Sequence, residues 1–136
     1  MKKTILIFAF MGMAASLYAG PVSPEKALQV AERVLSVQST KASGDIRIIW
    51  DGESAATKAD AQAPAFYVVG RDGGGFVIVS GNDNVRPVLA LSYTNRFQVE
   101  GMPCNVSAWM ERIKRYSRSA TEATPEVKAQ WETGPA

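Results

Sequence analysis

The stretch FYVVGRDGGGFVIVSG, residues 66–81, decides the fold. Phe66 to Val69 is one apolar run and Gly75 to Ser80 another. Arg71 to Gly74 supplies turn residues between them, so the stretch reads as a β-hairpin whose glycines provide positive φ. Phe76-Val77-Ile78-Val79 is apolar at every position, and a strand without a polar face belongs in the middle of a sheet covered on both sides or curled around a helix. Downstream, Gly81-Asn82-Asp83-Asn84 is a second turn signal. Arg86 to Tyr93 supplies the next strand, with Pro87 favouring its beginning or an edge position. Upstream, Asp45 to Trp50 alternates, with Ile46, Ile48 and Trp50 opposed to Arg47, while Ile49 on the other face implies partial burial on two sides.

Helices flank these strands. Ser23-Pro24-Glu25 combines a capping hydroxyl, a proline where the first helical N–H has no partner anyway, and an acid against the helix dipole. Ala27, Leu28, Ala31, Val34 and Leu35 then share one stripe while Lys26, Glu32 and Arg33 face water, and the helix stops near Val37. Asn95 to Cys104 reads as a loop carrying Phe97, Val99, Met102 and Pro103. Asn105 is expected to cap a second helix whose packing stripe is Val106, Trp109, Met110, Ile113 and Tyr116. Helix, strand, hairpin, strand, helix predicts an α+β domain: an antiparallel sheet of three or four strands with two helices packed against it. Trp50, Phe66, Tyr67, Phe76, Tyr93 and Trp109 lie on periodic faces and are expected in the core. Ser39 to Gly44 and Gly52 to Pro64 are polar loop segments, and Ser119 to Ala136 is a tail with room for a short helix around Glu126 to Trp131.

The first twenty residues belong to a different category. Lys2 and Lys3 precede the apolar run Ile5 to Met13, and small residues follow up to Ala19, the pattern of a secretory signal peptide. The run is shorter than the ~20 residues that span a bilayer, so the expectation is export by a bacterial leader to the periplasm or medium and no membrane association after its removal. Cleavage after Ala19 suits the small residue wanted there, and Gly20 is the second candidate because Leu17 is larger than usual. Three segments result: leader 1–20, domain 21–118 and tail 119–136. About 116 residues remain after the leader, enough for one core.

Composition then removes whole classes of function. Without Lys2 and Lys3 the 15 basic side chains fall to 13, equal to the 13 acidic ones. A near-neutral domain does not suit nucleic acid, which is held by clustered Lys and Arg, and the one basic cluster, Arg112, Lys114, Arg115 and Arg118, lies on a helix as its wet face. Cys104 is the only cysteine, so no internal disulfide forms. The chain has no histidine, which closes the Cys–His and Ser–His routes and most zinc sites. Carboxylates such as Glu25 with Glu32, or Asp51 with Glu53, lack apolar surroundings that would raise one of them for acid–base work. Gly70 to Gly75 fits neither G-x-G-x-x-G nor the P-loop, and a strand follows where a phosphate-binding helix would start. Asn105-Val106-Ser107 matches a glycosylation sequon, a pattern common by chance. No enzyme activity, cofactor or metal is expected.

From Ala65 to Tyr116 the sequence resembles the propeptide of streptopain-type cysteine peptidases and the stand-alone streptopain inhibitor related to it. The resemblance is carried by GGFVIVSG (Gly74 to Gly81), the following proline and short strand ending in tyrosine, the aromatic Phe97, and the spacing of Asn105, Trp109 and Met110. It covers about half of the chain beyond the leader; the first helix fits in position only, and Lys41 to Pro64 shows no match. The resemblance implies a non-catalytic domain that docks on a papain-like protease and holds the enzyme's catalytic histidine out of register with its cysteine. Its partner would be a streptopain-like cysteine protease. In that family an asparagine on the loop before the last helix reaches the active site, and the matching position is Asn105, whose other reading is the helix cap. Glu100 to Cys104 would form the contact loop. Met102, Pro103 and Cys104 depart from the family pattern: Pro103 stiffens the approach, and Cys104 is either a plain thiol or a partner for the protease nucleophile. A free-standing inhibitor, the propeptide or folding chaperone of a protease precursor, and a generic extracellular binding module all remain open on sequence alone.

Overall fold

In the computed structural model the described residues are 20–37, 44–52 and 64–134. Residues 1–19 of the expected leader and most of the loops expected at 39–44 and 52–64 lie outside them. The chain runs α1 (Pro24–Ser36), β1 (Ile46–Trp50), β2 (Phe66–Arg71), β3 (Phe76–Ser80), β4 (Val88–Ser92), α2 (Cys104–Ser119) and α3 (Pro125–Thr133). The four strands form one antiparallel sheet in the order β1-β2-β3-β4.

The central hairpin forms as its residues dictate. Arg71 N donates to Gly75 O at 3.0 Å and Gly74 N to Arg71 O at 3.1 Å. Gly75 has φ +103°, and a Cβ there would stand 2.9 Å from Tyr93 O, so both the backbone conformation and the approach of the next strand exclude a side chain. Because β3 has no polar face, each side of it needs a cover, and each receives one. Tyr67, Val69, Val77 and Val79 pack against Ala27, Val30, Ala31, Val34 and Leu35 of α1. Phe66, Val68, Ile78 and Leu89 pack on the opposite side against Met110, with Val106, Trp109 and Ile113 beside it. The sheet is thus the middle layer of three.

α1 begins as its sequence requires: Ser23 Oγ accepts from Lys26 N at 3.2 Å and Pro24 opens the first turn. Four expectations are revised. Trp50 does not share a face with Ile46 and Ile48. Pairing skips from Ile48↔Val69 to Trp50↔Val68, a bulge that leaves Ile49 37% exposed and turns Trp50 toward α2. Asn105 does not cap α2: the helix starts at Cys104, two residues earlier than a cap at Asn105 would set it, Pro103 occupies the cap position with φ −59° and ψ 147°, and no side chain closes it. Tyr116 is not on the packed stripe; it is 57% exposed, and Ser117 takes the buried position instead. The helix count rises from two to three: the short helix expected around Glu126 to Trp131 forms as α3, whose Trp131 is 8% exposed in the α1-side core and donates from Nε1 to Val85 O at 2.8 Å.

The far end of α2 is held by polar groups. Ser117 Oγ donates to Ala65 O at 2.6 Å. Asn82 Nδ2 donates to the Ser117 and Ala120 carbonyls at 2.7 and 2.9 Å, supplying donors that a helix C-terminus lacks. Gly81 to Asn84, legible in sequence only as a turn, is therefore also the cap of α2.

Candidate functional site: the loop between β4 and α2

Residues 95–103 leave β4 and enter α2, and their root is tied to the hairpin turn. Ser92 Oγ accepts from Asn95 N at 3.1 Å, Gly75 N donates to Asn95 O at 3.0 Å, and Arg96 Nη2 donates to Asp72 O at 2.8 Å. Arg47 meets the same turn residue through Asp72 Oδ1 at 3.5 Å, a pair exposed enough to contribute little.

Beyond this root the loop is fastened by apolar side chains at two points. The Phe97 ring stacks on Trp50 with centroids 6.2 Å apart and planes inclined by 22°, and it meets Phe76 edge-on at 5.3 Å and 68°. Trp50 in turn meets Phe66 edge-on at 5.7 Å. Phe97 therefore rests on an aromatic bed that exists only because the β1 bulge sends Trp50 to this side of the sheet. Met102, the second point, is half-buried against the same cluster. Gln98, Val99, Glu100 and Gly101 between the two anchors are exposed. Gly101 has φ +69° with nothing within 4 Å of where a Cβ would stand, so glycine is needed there for the backbone conformation and not for space.

The residues singled out in the sequence thus separate. Glu100, Pro103, Cys104 and Asn105 are exposed, whereas Met102 faces inward and anchors the loop. Cys104 is an exposed free thiol. Asn105 occupies the first turn of α2 and serves no cap there. Sequence reasoning missed Trp50 as part of the bed and Arg96 as the link to the hairpin turn; the aromatic at Phe97 was the one visible signal for the first.

Two clefts of about 390 and 380 Å³ are lined by other parts of the fold; a third of about 170 Å³ reaches the root of the loop at Arg96 and Phe97, and none of the three includes a residue from Glu100 to Asn105. Among the described residues no group of three or more His, Cys, Asp or Glu is placed to hold a metal, and no helix is long and apolar enough to cross a membrane. The Tyr67 hydroxyl is pushed above the ordinary tyrosine range, by burial first and then by the charges of Asp51 and Glu25. It lies in the α1-side core and donates to Val22 O at 2.7 Å, away from the loop.

The geometry presents a short, pinned, exposed turn ahead of α2. Searches of curated proteins and of solved structures return no match. A family model described as Spi protease inhibitor matches residues 19–117, from the start of the described structure through all four strands, the loop and most of α2, with α3 beyond its end. That span exceeds half of the chain, so the chain belongs to the Spi protease inhibitor family.

Proposed function

We propose that this protein is an exported inhibitor of a streptopain-like cysteine protease, and that it acts as a propeptide does, by laying the loop from Glu100 to Asn105 across the active-site cleft. The observation that carries the reading is the loop's construction: an exposed tip pinned at Phe97 and Met102. A segment already held in one conformation loses little entropy on docking, so more of its contact energy appears as affinity. Pro103 adds to this by restricting the approach to Asn105.

Asn105, in the first turn of α2 just beyond the Met102 anchor, supplies the polar group. Its side chain makes no cap bond, which leaves both the donor and the acceptor of its amide for a partner. In the protease cleft that amide would bond to the groups that otherwise bring cysteine and histidine together, and hold them apart. The inhibitor needs no catalytic apparatus for this, in keeping with a chain that has no histidine. Family membership supports the inhibitory role; the thiol protease as target and the loop as contact are the reading offered here.

The test is a titration of residues 20–136 against a papain-fold protease of the streptopain type, following hydrolysis of a peptide substrate. Stoichiometric or competitive loss of activity is expected, and full activity in micromolar excess of the domain would refute the proposal. Asn105→Ala should weaken inhibition at least about tenfold while moving stability by no more than about 0.5 kcal/mol, as befits an exposed side chain. Equal inhibition by the variant would remove Asn105 from the site and leave the target open.

A further inference from the structure

We propose that processing on export cuts between Ala19 and Gly20, and that the α-ammonium so created is a structural group, held as an ion pair by the carboxylate of Asp83. The inference rests on the export reading of residues 1–20 and is independent of protease inhibition.

The start of the described chain is fixed by a run of specific bonds. Gly20 N lies 2.6 Å from Asp83 Oδ1, and Asp83 N returns a bond to Gly20 O at 3.2 Å, closing a two-bond ring. Pro21 and Asn82 then form an antiparallel bridge. Val22 N donates to Gly81 O at 2.9 Å, and Tyr67 OH donates to Val22 O at 2.7 Å. Residues 20–22 thereby line up against the turn at 81–83, and the register assigns one nitrogen to the Asp83 carboxylate.

That register separates the two cleavage positions that the sequence leaves open. Hydrolysis of the Ala19–Gly20 bond breaks its C–N linkage. The Ala19 carbonyl carbon takes the oxygen of water and departs as a carboxylate, while the Gly20 nitrogen takes both protons and becomes an ammonium. The positive charge then arises 2.6 Å from a carboxylate oxygen. The carboxylate already accepts a charge-assisted bond from the neutral amide of the uncut chain; the cut puts a positive charge on the donor as well and adds a direct Coulomb attraction to that bond. A cut after Gly20 would remove both bonds to Asp83 and start the chain at Pro21, whose nitrogen lies one residue further along. The same node receives the α2 carbonyls on Asn82 and the indole of Trp131 on Val85, so an added ion pair there tightens three elements at once.

Two measurements test this. The full chain is expressed with its leader in an exporting bacterium and the exported product weighed intact: a mass beginning at Gly20 is expected, and one beginning at Pro21 or retaining residues 1–19 overturns the proposal. Chains beginning at Gly20 and at Ala19 are then compared, each with and without Asp83→Asn, which keeps an oxygen acceptor and removes the charge. Asp83→Asn should lower the melting temperature by about 3 °C in the Gly20 chain and by less than about 1 °C in the Ala19 chain. Equal losses in both would show that the charge on Gly20 does nothing. Acylation of the Gly20 amine by an activated ester should also run several-fold faster in Asp83→Asn than in the parent, and equal rates would count against the pair.

Discussion

Replacing Phe97 by alanine separates what holds the domain together from what holds the loop in place. Phe97 is half-buried and contacts two aromatic rings, Trp50 at 6.2 Å and Phe76 at 5.3 Å. Each such pair contributes about 0.5–1.5 kcal/mol beyond area burial, and complete burial of a phenylalanine gives about 3–5 kcal/mol on truncation. For a half-buried ring with two partners the expected loss is about 2 kcal/mol. The main cores survive, since Val68, Ile78 and Met110 on one side and Val69, Val77 and Leu35 on the other are all buried without it. The exposed residues 98–101 then lose one of their two anchors. Fixing the backbone of a freed residue costs about 1–2 kcal/mol, so restoring even two of them on docking weakens inhibition by about 2 kcal/mol, roughly 30-fold. Urea unfolding monitored by near-UV dichroism measures the first effect, with an unchanged slope showing that only stability moved. Inhibition of the protease, titrated well below the unfolding midpoint, measures the second. Phe97→Leu, which keeps apolar burial and loses the ring geometry, should fall between. A variant with a lowered midpoint and undiminished inhibition would show that loop ordering has no part in the mechanism.

Three further outcomes follow from the same geometry. Trp131→Phe removes the donor to Val85 O and should cost about 1–3 kcal/mol in denaturant unfolding, with inhibition unaltered because Trp131 belongs to the α1-side core and the loop to the α2 side. Tyr67 has a folded-state pKa above its unfolded value, so its contribution is complete below about pH 10 and is lost as pH rises from there through the folded value; the drop in unfolding free energy above pH 10 should flatten in Tyr67→Phe. Cys104→Ser should leave inhibition unchanged with or without reductant, since Asn105 and not the thiol is assigned the contact; loss of inhibition, or its reversal by dithiothreitol in the parent, would point to a mixed disulfide.

The layers were legible because they follow from a single unusual feature, a strand apolar at every position from Phe76 to Val79, which demands cover on both faces. What escaped the sequence has specific causes. Alternation assumes an unbroken pleat, and the skip at Ile49 moves Trp50 to the other face with no residue type marking it. Tyr116 fits the three-and-four spacing after Trp109 and Ile113, but Ser117 fits it equally after Met110 and Ile113, so spacing alone does not separate them. Ser117 lies seven residues after Met110, on the same stripe, and its hydroxyl is made buriable by Ala65 O and the nearby Ser80. Asparagine is a good cap, but Pro103 already has the extended backbone of a cap position, and the helix starts on its heels. The short helix expected around Glu126 to Trp131 is α3, and its start carried a further readable signal. Thr124-Pro125-Glu126 repeats the Ser23-Pro24-Glu25 signature that marked α1, and Thr124 Oγ1 accepts from Val127 N at 3.3 Å just as Ser23 does for Lys26. The candidate loop was placed correctly as a loop, while the bed that holds Phe97 depends on the bulge and was hidden with it.

These details give α2 a particular position in the molecule. Its sixteen residues span about 24 Å. At its N-terminus stands the pinned loop; at its C-terminus stands the turn from Gly81 to Val85, where Asn82 takes the helix carbonyls, Gly20 to Val22 pair alongside, and Trp131 reaches in from α3. The polar ties are gathered at one end of the helix and the exposed loop lies at the other. α3 lies beyond the family match and on the opposite side of the sheet, so it can strengthen the node without approaching the loop proposed as the protease contact. Substitutions more than about 10 Å apart with no shared partner generally add, so changes at Asp83 or Trp131 should combine additively with changes at Phe97 or Asn105 in stability. In inhibition the first pair should be silent. Measurable coupling between the two ends would mean that α2 shifts as a rigid rod when the node loosens, and that the loop is positioned by the helix as well as by its own aromatic bed.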